Sequence, residues 1–251
     1  AYESVFYQIY PLGFVGAPFE NDGVETHRIL KVLDWTDHIK KLGANAIYFS
    51  PVFESDTHGY NTRDYRKIDC RLGSNEDFKQ VCDKLHSEGI RVVLDGVFNH
   101  AGRGFWAFQD VLKNRENSPY LNWFHINLGG NSNYNDGLWY EGWEGNYDLV
   151  KLNLQNEEVV QYLLESVRGW VDEFDIDGLI SGAYFNGFGD ISDGRENERS
   201  SVSSCVEFIF SVNIGDRTHI LFFLVVNRYI HQWLMSHRIC NYSLYLLRKS
   251  V

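Results

Sequence analysis

Through residues 4–180, short runs rich in β-branched and aromatic side chains alternate with segments of helical periodicity. "SVFYQIYP" (4–11) reads as a strand stopped by a proline. "KVLDWTDHIKKLG" (31–43) sets Val32, Trp35, Ile39 and Leu42 at helical spacing and ends on Gly43. "ANAIYFSP" (44–51) is a second strand. "SNEDFKQVCDKLHSEG" (74–89) opens on a Ser74/Asp77 capping pair and carries Phe78, Val81, Cys82 and Leu85 on one face. "IRVVLDGVF" (90–98) is a third strand, and a loop-rich stretch follows over 101–153. "EEVVQYLLESVRGWVDEF" (157–174) repeats Val160, Leu163, Val167, Trp170 and Phe174 at helical spacing, and "DIDGLI" (175–180) is a short fourth strand. Strands joined by helical crossovers pair in parallel, because each crossover returns the chain to the same end of the sheet. Two closures satisfy this pattern, an open doubly wound sheet and a (β/α)8 barrel. The first strand–helix turn has no GxGxxG, which disfavours a dinucleotide-binding sheet.

A formal charge of −11 sets the chain against nucleic acid and anionic membranes, whose phosphates it would repel. A neutral ligand is the easier fit. At 44% hydrophobic and 16% aromatic residues, the chain has enough apolar surface for a sizeable core. Cys70, Cys82, Cys205 and Cys240 are scattered, with no CxxC and no metal-ligand spacing, and read as free thiols. The apolar run "HILFFLVV" (219–226) is too short to span a bilayer. No secretory leader is legible, which favours a cytoplasmic location over secretion, although the sequence begins at Ala1.

The third strand runs straight into polar residues: "RVVLDGVFNHAGRGFWAF" (91–108) carries Asp95, Asn99 and His100. A capping role for Asp95 and Asn99 and a core position for His100 account for that stretch alone as well as a site does. The second strand ends alike: "SPVFESDTHGYNTRDYRKID" (50–69) offers Ser50, His58, Tyr60 and Asp64. In a barrel the carboxyl ends of the strands carry the chemistry. A tyrosine beside hydroxyl-binding groups suits a sugar, with the ring on its C–H face and polar edges on its hydroxyls. Trp106, Trp123, Trp139, Tyr140, Trp143 and Tyr147 lie in the 101–153 stretch, and about half of them are assigned to a small core of that segment.

At these residues the chain resembles the α-amylase family of glycoside hydrolases, over about residues 4–179. "FYQIYPLGF" is similar to that family's first strand, and "SPVFESDTHGYNTRDYRKID" to its second strand and loop, above all in the cyclomaltodextrinase and neopullulanase branch. "LDGVFNHAGRGFWAF" resembles its D-x-x-x-N-H motif, and "YEGWEGNYDLVKLNLQNEEV" the end of its small inserted domain. The resemblance implies an α/β fold of (β/α)8 TIM-barrel type, with about the first four βα units present and a small inserted domain after strand 3. Residues 1–100 would form the first three units, 101–153 the insertion, 154–180 the third helix and fourth strand, and 181–251 an atypical tail. It further implies that Tyr60 stacks on the sugar at the cleavage point, that His58 sits beside it, that His100 binds a hydroxyl and that Asp95 organises the strand end. The asparagine matching Asn99 ligates calcium in many relatives, but the branch closest to this chain often lacks the ion. No cofactor is expected otherwise. The implied partner is an α-glucan or maltooligosaccharide.

The resemblance stops inside the fourth strand. The family's D-G-x-R-x-D pattern reads "DGLISG" here: Asp177 and Gly178 match, but Ile180 stands at the arginine and Gly182 at the nucleophile. A one-residue deletion that aligns Ala183 and Tyr184 leaves both groups absent. Asp175 and Asp177 precede the motif and do not substitute. Beyond 180 no family pattern or βα alternation is legible, and Glu207 in "SCVEFIF" is a poor candidate acid. A loss of pattern in mid-motif points to a changed reading frame or a misassigned gene end. The expected function is therefore α-glucan hydrolysis by family, and for this polypeptide a truncated, catalytically inactive product that at most binds saccharide, with no catalytic residue assigned.

Overall fold

The computed structural model describes residues 4–181 and the strand segments 206–214, 217–225 and 243–245. Strands β1 (Phe6–Ile9), β2 (Ala46–Phe49), β3 (Arg91–Asp95) and β4 (Gly178–Ser181) are the expected parallel set. They pair in chain order, β1 with β2, β2 with β3 and β3 with β4, all parallel. Sequential order without a reversal is the arrangement of a barrel wall, and a doubly wound sheet would reverse after its first strand.

Three further strands extend this sheet: β5 (Val206–Ile214), β6 (Arg217–Val225) and β7 (Ser243–Tyr245). β6 runs parallel to β4, and β5 pairs antiparallel with both β6 and β7. The sequence reading assigned no strands to this tail, where no alternation of strand and helix pattern is legible. The signal was nonetheless present: "VEFIFSVNI" and "RTHILFFLV" are β-branched and aromatic, and a Gly-Asp pair separates them as in a two-residue hairpin.

Three helical segments cross back over the strands. The first is mixed, a 3-10 stretch at Arg28–Trp35 followed by helix α1 (Thr36–Lys41), where the sequence suggested one α-helix over 31–43. The Thr36 hydroxyl donates to the Leu33 carbonyl at 3.0 Å where the two segments meet. The tighter 3-10 turn changes the spacing, so Val32 and Ile39 are buried while Trp35 and Leu42 face solvent. Helix α2 (Asn75–Ser87) carries the full capping box: Asp77 N donates to Ser74 Oγ at 3.2 Å, and Ser74 N to Asp77 Oδ2 at 2.9 Å. Helix α3 (Glu157–Phe174) has the expected bounds, with Val159 rather than Val160 on its buried face. Asp175 closes it in the left-handed conformation at φ 55°, which turns the chain into β4.

The core lies between these layers. Phe78 of α2 meets Phe49 of β2 and Phe174 of α3 edge-on, with centroids 5.6 Å and 5.1 Å away. Trp170 of α3 stacks on Phe53 at 4.2 Å and on Phe98 at 6.0 Å, and its indole donates to the Tyr65 carbonyl at 2.6 Å. One helix thus supports both segments that leave the sheet after β2 and β3. Cys70 and Cys82 are buried free thiols, while Cys205 and Cys240 lie outside the described residues. Among the described residues no helix is long and apolar enough to cross a membrane.

Asp177 stitches the opposite end of the sheet. Its Oδ2 accepts from Val92 N at 2.8 Å and from His86 Nε2 at 2.9 Å. The hydrogen bond to Asp177 raises the His86 pKa above its ordinary 6.5, with Asp175 and Asp83 adding in the same direction and burial opposing. A raised folded-state pKa means that the stabilisation is fully present below the unfolded value and is lost as pH rises through the folded one. The His86→Gln penalty in urea unfolding is expected to be larger at about pH 5.5 than at about pH 8.5. Equal penalties at the two pH values would show that the pair contributes nothing.

Candidate functional site

The loop after β2 is a hairpin, Phe53–Ser55 paired antiparallel with Thr62–Ile68. Its base is held by a buried ion pair. The Arg71 guanidinium forks onto Asp69, Nε to Oδ1 at 2.8 Å and Nη2 to Oδ2 at 2.7 Å. The remaining donors reach Ser55 Oγ at 2.8 Å and the carbonyls of Pro18 and Phe19 at 3.1 Å and 2.6 Å. Every N–H direction of that guanidinium therefore has a partner, and one side chain ties three segments together.

The hairpin tip carries His58 and Tyr60 and is fastened to the insertion. Asp56 accepts from Arg63 Nε at 2.5 Å and from Gly104 N at 3.1 Å. Asn61 bridges the tip internally, Nδ2 to Thr57 Oγ1 at 2.8 Å and Thr57 N to Oδ1 at 3.0 Å. A Cβ on Gly102 would overlap the Asn61 carbonyl, and one on Gly104 would overlap Asp56, so only glycine permits this approach.

The structure brings His58, Tyr60, Asp95 and His100 to one cavity of about 420 Å³ at the carboxyl end of the sheet. Asp95 ends β3, and its Oδ2 accepts from the hydroxyls of Tyr48 at 2.5 Å and Tyr60 at 3.2 Å. Burial raises its pKa, and the two phenolic donors pull against that rise. His100 Nε2 lies 3.1 Å from the Tyr60 carbonyl, which can only accept, so Nε2 carries the proton. Burial pushes the His100 pKa down to about 4, and the ring is neutral at pH 7. The His58 pKa is also lowered by burial, and its Nδ1 accepts from Tyr60 N at 3.2 Å. The Tyr60 side chain remains 37% exposed, with its ring available to a ligand.

Of the two other residues named with them, Ser50 hydrogen-bonds the Tyr60 side chain without lining the cavity, and Asp64 stands elsewhere. Asp64 accepts from Arg66 N at 2.8 Å within its own strand and does not line the cavity. Ser50 is buried and takes Gln8 Nε2 at 3.2 Å. Sequence reasoning missed Tyr48 and Arg71, and named Trp143 only as one of six aromatics in the 101–153 stretch. Strand alternation was a usable signal for Tyr48, since buried Ile47 and Phe49 flank it on the other face of β2. Trp143 has its ring 5.4 Å from His100 and forms a second aromatic wall. It comes from the insertion, where strands His100–Gly102, Asn146–Lys151 and Gly142–Trp143 form a three-stranded sheet. Of the other aromatics there, Trp123 and Tyr140 are buried, while Trp106 and Trp139 are exposed.

Among the described residues no cluster of His, Cys, Asp and Glu side chains close enough to share a calcium ion forms beside Asn99. The ion takes roughly six to eight oxygen ligands. The buried Asn99 side chain instead has Nδ2 3.4 Å from His100 Nδ1. Among the described residues, the His, Cys, Asp and Glu side chains that gather closely enough for a metal are Glu54, Asp69 and Cys70. Glu54 there accepts from Asn21 Nδ2 and Cys70 N, and Asp69 is taken by Arg71.

In β4, Ile180 is in register with Asp95, so an aliphatic side chain stands level with the carboxylate. Gly182, Ala183 and Tyr184 lie outside the described residues, as does the side chain of Glu207.

Residues 8–180 match the family model described as alpha amylase, catalytic domain. The chain is 39% identical over 192 residues to a cyclomaltodextrinase of a Bacillus species, which covers 70% of this chain and 34% of that one. Among solved structures it resembles the cyclic α-maltosyl-(1→6)-maltose hydrolase of Arthrobacter globiformis, with TM-score 0.62 and 35% identity over 73% of this chain and 44% of the other. The debranching enzyme of Nostoc punctiforme gives TM-score 0.63 and 38% identity over 74% and 43%. The chain spans about a third of the length of the curated relatives it matches.

Proposed function

Because the chain belongs to the α-amylase family of glycoside hydrolases, in the cyclomaltodextrinase and neopullulanase branch, we propose that its cavity holds a glucosyl unit of an α-glucan or maltooligosaccharide without cleaving the adjoining bond. One observation carries the reading: Tyr60, Asp95 and His100 share one cavity with an open aromatic face beside paired acceptors and donors. The Tyr60 ring packs on the C–H face of the sugar. Neutral His100 has Nε2–H for a hydroxyl, the bond it now makes to the Tyr60 carbonyl, and Asp95 accepts from another. His58 closes the rim.

Retaining hydrolysis needs two carboxyl groups about 5–5.5 Å apart astride the bond, one as nucleophile and one as acid and base. Among the described residues Asp95 is the one carboxylate lining the cavity, and its Oδ2 already accepts from two phenols. In the motif that supplies the nucleophile this sequence has Gly182, and Ile180 in place of the arginine. A glycine offers no atom to attack the anomeric carbon. Asp177 does not replace it, since it lies at the far end of the sheet.

The second reading is an α-glucan hydrolase, favoured by the family itself and by the names its relatives carry. Product analysis decides between the two. The 251-residue chain, incubated overnight with maltopentaose, is expected to release no glucose, maltose or maltotriose above a buffer blank. Release proportional to protein concentration would overturn the non-hydrolytic reading.

A further inference from the structure

Away from the strand ends, "ETHRILKVLD" (25–34) gathers His27, Arg28 and Lys31 with no acid between Glu25 and Asp34. In a chain of net charge −11 that is a local reversal of sign. The 3-10 stretch Arg28–Trp35 brings the basic side chains into line. At three residues per turn, side chains at i and i+3 eclipse. Arg28, Lys31 and Asp34 therefore stand in one column, while Ile29 and Val32 are buried. An α-helix would swing Asp34 about 120° away from Arg28.

The three residues of that column line a hollow of about 470 Å³ together with His27, Val15 and Leu30. Arg28 is held in place there: its Nη1 donates to Thr26 Oγ1 at 3.3 Å and to the Arg71 carbonyl at 3.1 Å. Its Nε and Nη2 are left for a ligand. His27 Nδ1 meets Asp77 Oδ2 at 2.7 Å, which leaves Nε2. That bond raises the His27 pKa above its ordinary 6.5 and favours the protonated ring, whose Nε2–H donates. Lys31 is exposed and makes no hydrogen bond or ion pair with another described residue.

We propose that this hollow binds a phosphorylated monosaccharide, at a site separate from the cavity beside Tyr60. Arg28, Lys31 and His27 take the phosphate oxygens. Asp34, at the far end of the column, accepts from a sugar hydroxyl, and Val15 and Leu30 offer apolar surface to the ring. Asp34 also selects the ligand, because it repels any anion that fills the whole hollow. One end of the ligand must be neutral. Nucleic acid and other polyanions stay disfavoured by the net charge.

The test is a phosphorus NMR titration of glucose 6-phosphate with the whole chain, at low salt and about pH 6.5. A saturable shift of the phosphate signal is expected. Lys31→Glu is expected to weaken binding about tenfold or more. Inorganic phosphate is expected to bind the parent chain about tenfold less tightly than the sugar phosphate. Asp34→Ala is expected to close that gap, weakening the sugar phosphate and strengthening inorganic phosphate. Excess maltotriose is expected not to displace the ligand. Thermal melts check that the variants fold, and Lys31→Gln repeats the test if Lys31→Glu does not melt cooperatively. No saturable shift with the parent chain, or unchanged binding in the folded Lys31 variant, overturns the site. Displacement by maltotriose would place the phosphate beside Tyr60 and overturns it as well. Equal affinity of the parent chain for inorganic phosphate overturns the assignment to a sugar phosphate.

Discussion

Arg71→Met is expected to cost about 3–5 kcal/mol of folding stability, the range for removing one partner of a buried ion pair. The Arg71 side chain is fully buried, and Asp69 beside it is 1% exposed. Methionine fills much of the same volume, so the loss comes mainly from charge and hydrogen bonding. Asp69 would keep its bonds from Ser55 N and Oγ, at 3.1 Å and 2.9 Å, but would hold a buried carboxylate with no cation. The carbonyls of Pro18 and Phe19 would lose their donors as well. The double variant Asp69→Asn/Arg71→Met removes the orphaned charge and is expected to lose less than Arg71→Met alone. Urea midpoints measure both. A loss below about 1 kcal/mol in the single variant would mean that water reaches the pair and the hairpin does not depend on it.

Tyr60→Ala is expected to weaken maltotriose binding roughly 30-fold, or about 2 kcal/mol, the size of a hot-spot aromatic. Two losses combine. The exposed ring face goes, and with it the hydroxyl that donates to Asp95 at 3.2 Å. Tyr60→Phe separates them: it keeps the ring and is expected to cost only a few-fold, since Tyr48 still donates to the same oxygen at 2.5 Å. The Tyr60 carbonyl that meets His100 belongs to the backbone and remains in both variants. If phenylalanine were as damaging as alanine, the hydroxyl rather than the stacking face would carry recognition.

The parts of this fold legible in the sequence are those with a local period. Helix α3 shows apolar side chains at helical spacing from end to end, and helix α2 announces itself by Ser74 and Asp77. The first crossover was misjudged because 3-10 and α turns share their first apolar contacts and part only at Trp35 and Leu42. The tail strands were missed because no amphipathic helical period is legible between their sequences, and the βα pattern was the signal being followed. His58, Tyr60, Asp95 and His100 could be named because they end a strand or lie in the segment that leaves it, where a barrel gathers its polar groups. Trp143 could not be distinguished from Trp123 or Trp139. Nothing local separates a wall of the cavity from a core or a surface indole, and only the pairing of Gly142–Trp143 with Asn146–Lys151 brings it over His100. Arg71 was passed over for a similar reason: its partners Pro18 and Phe19 lie 53 and 52 residues away.

Calorimetric titration of the chain with maltopentaose reads occupancy and turnover in one trace. The expected trace is a saturable isotherm in which the power returns to baseline after every injection, as for a sugar that binds beside Tyr60 and is not cut. Lack of any saturable heat, or a steady heat flow that persists between injections and scales with protein, contradicts binding without hydrolysis.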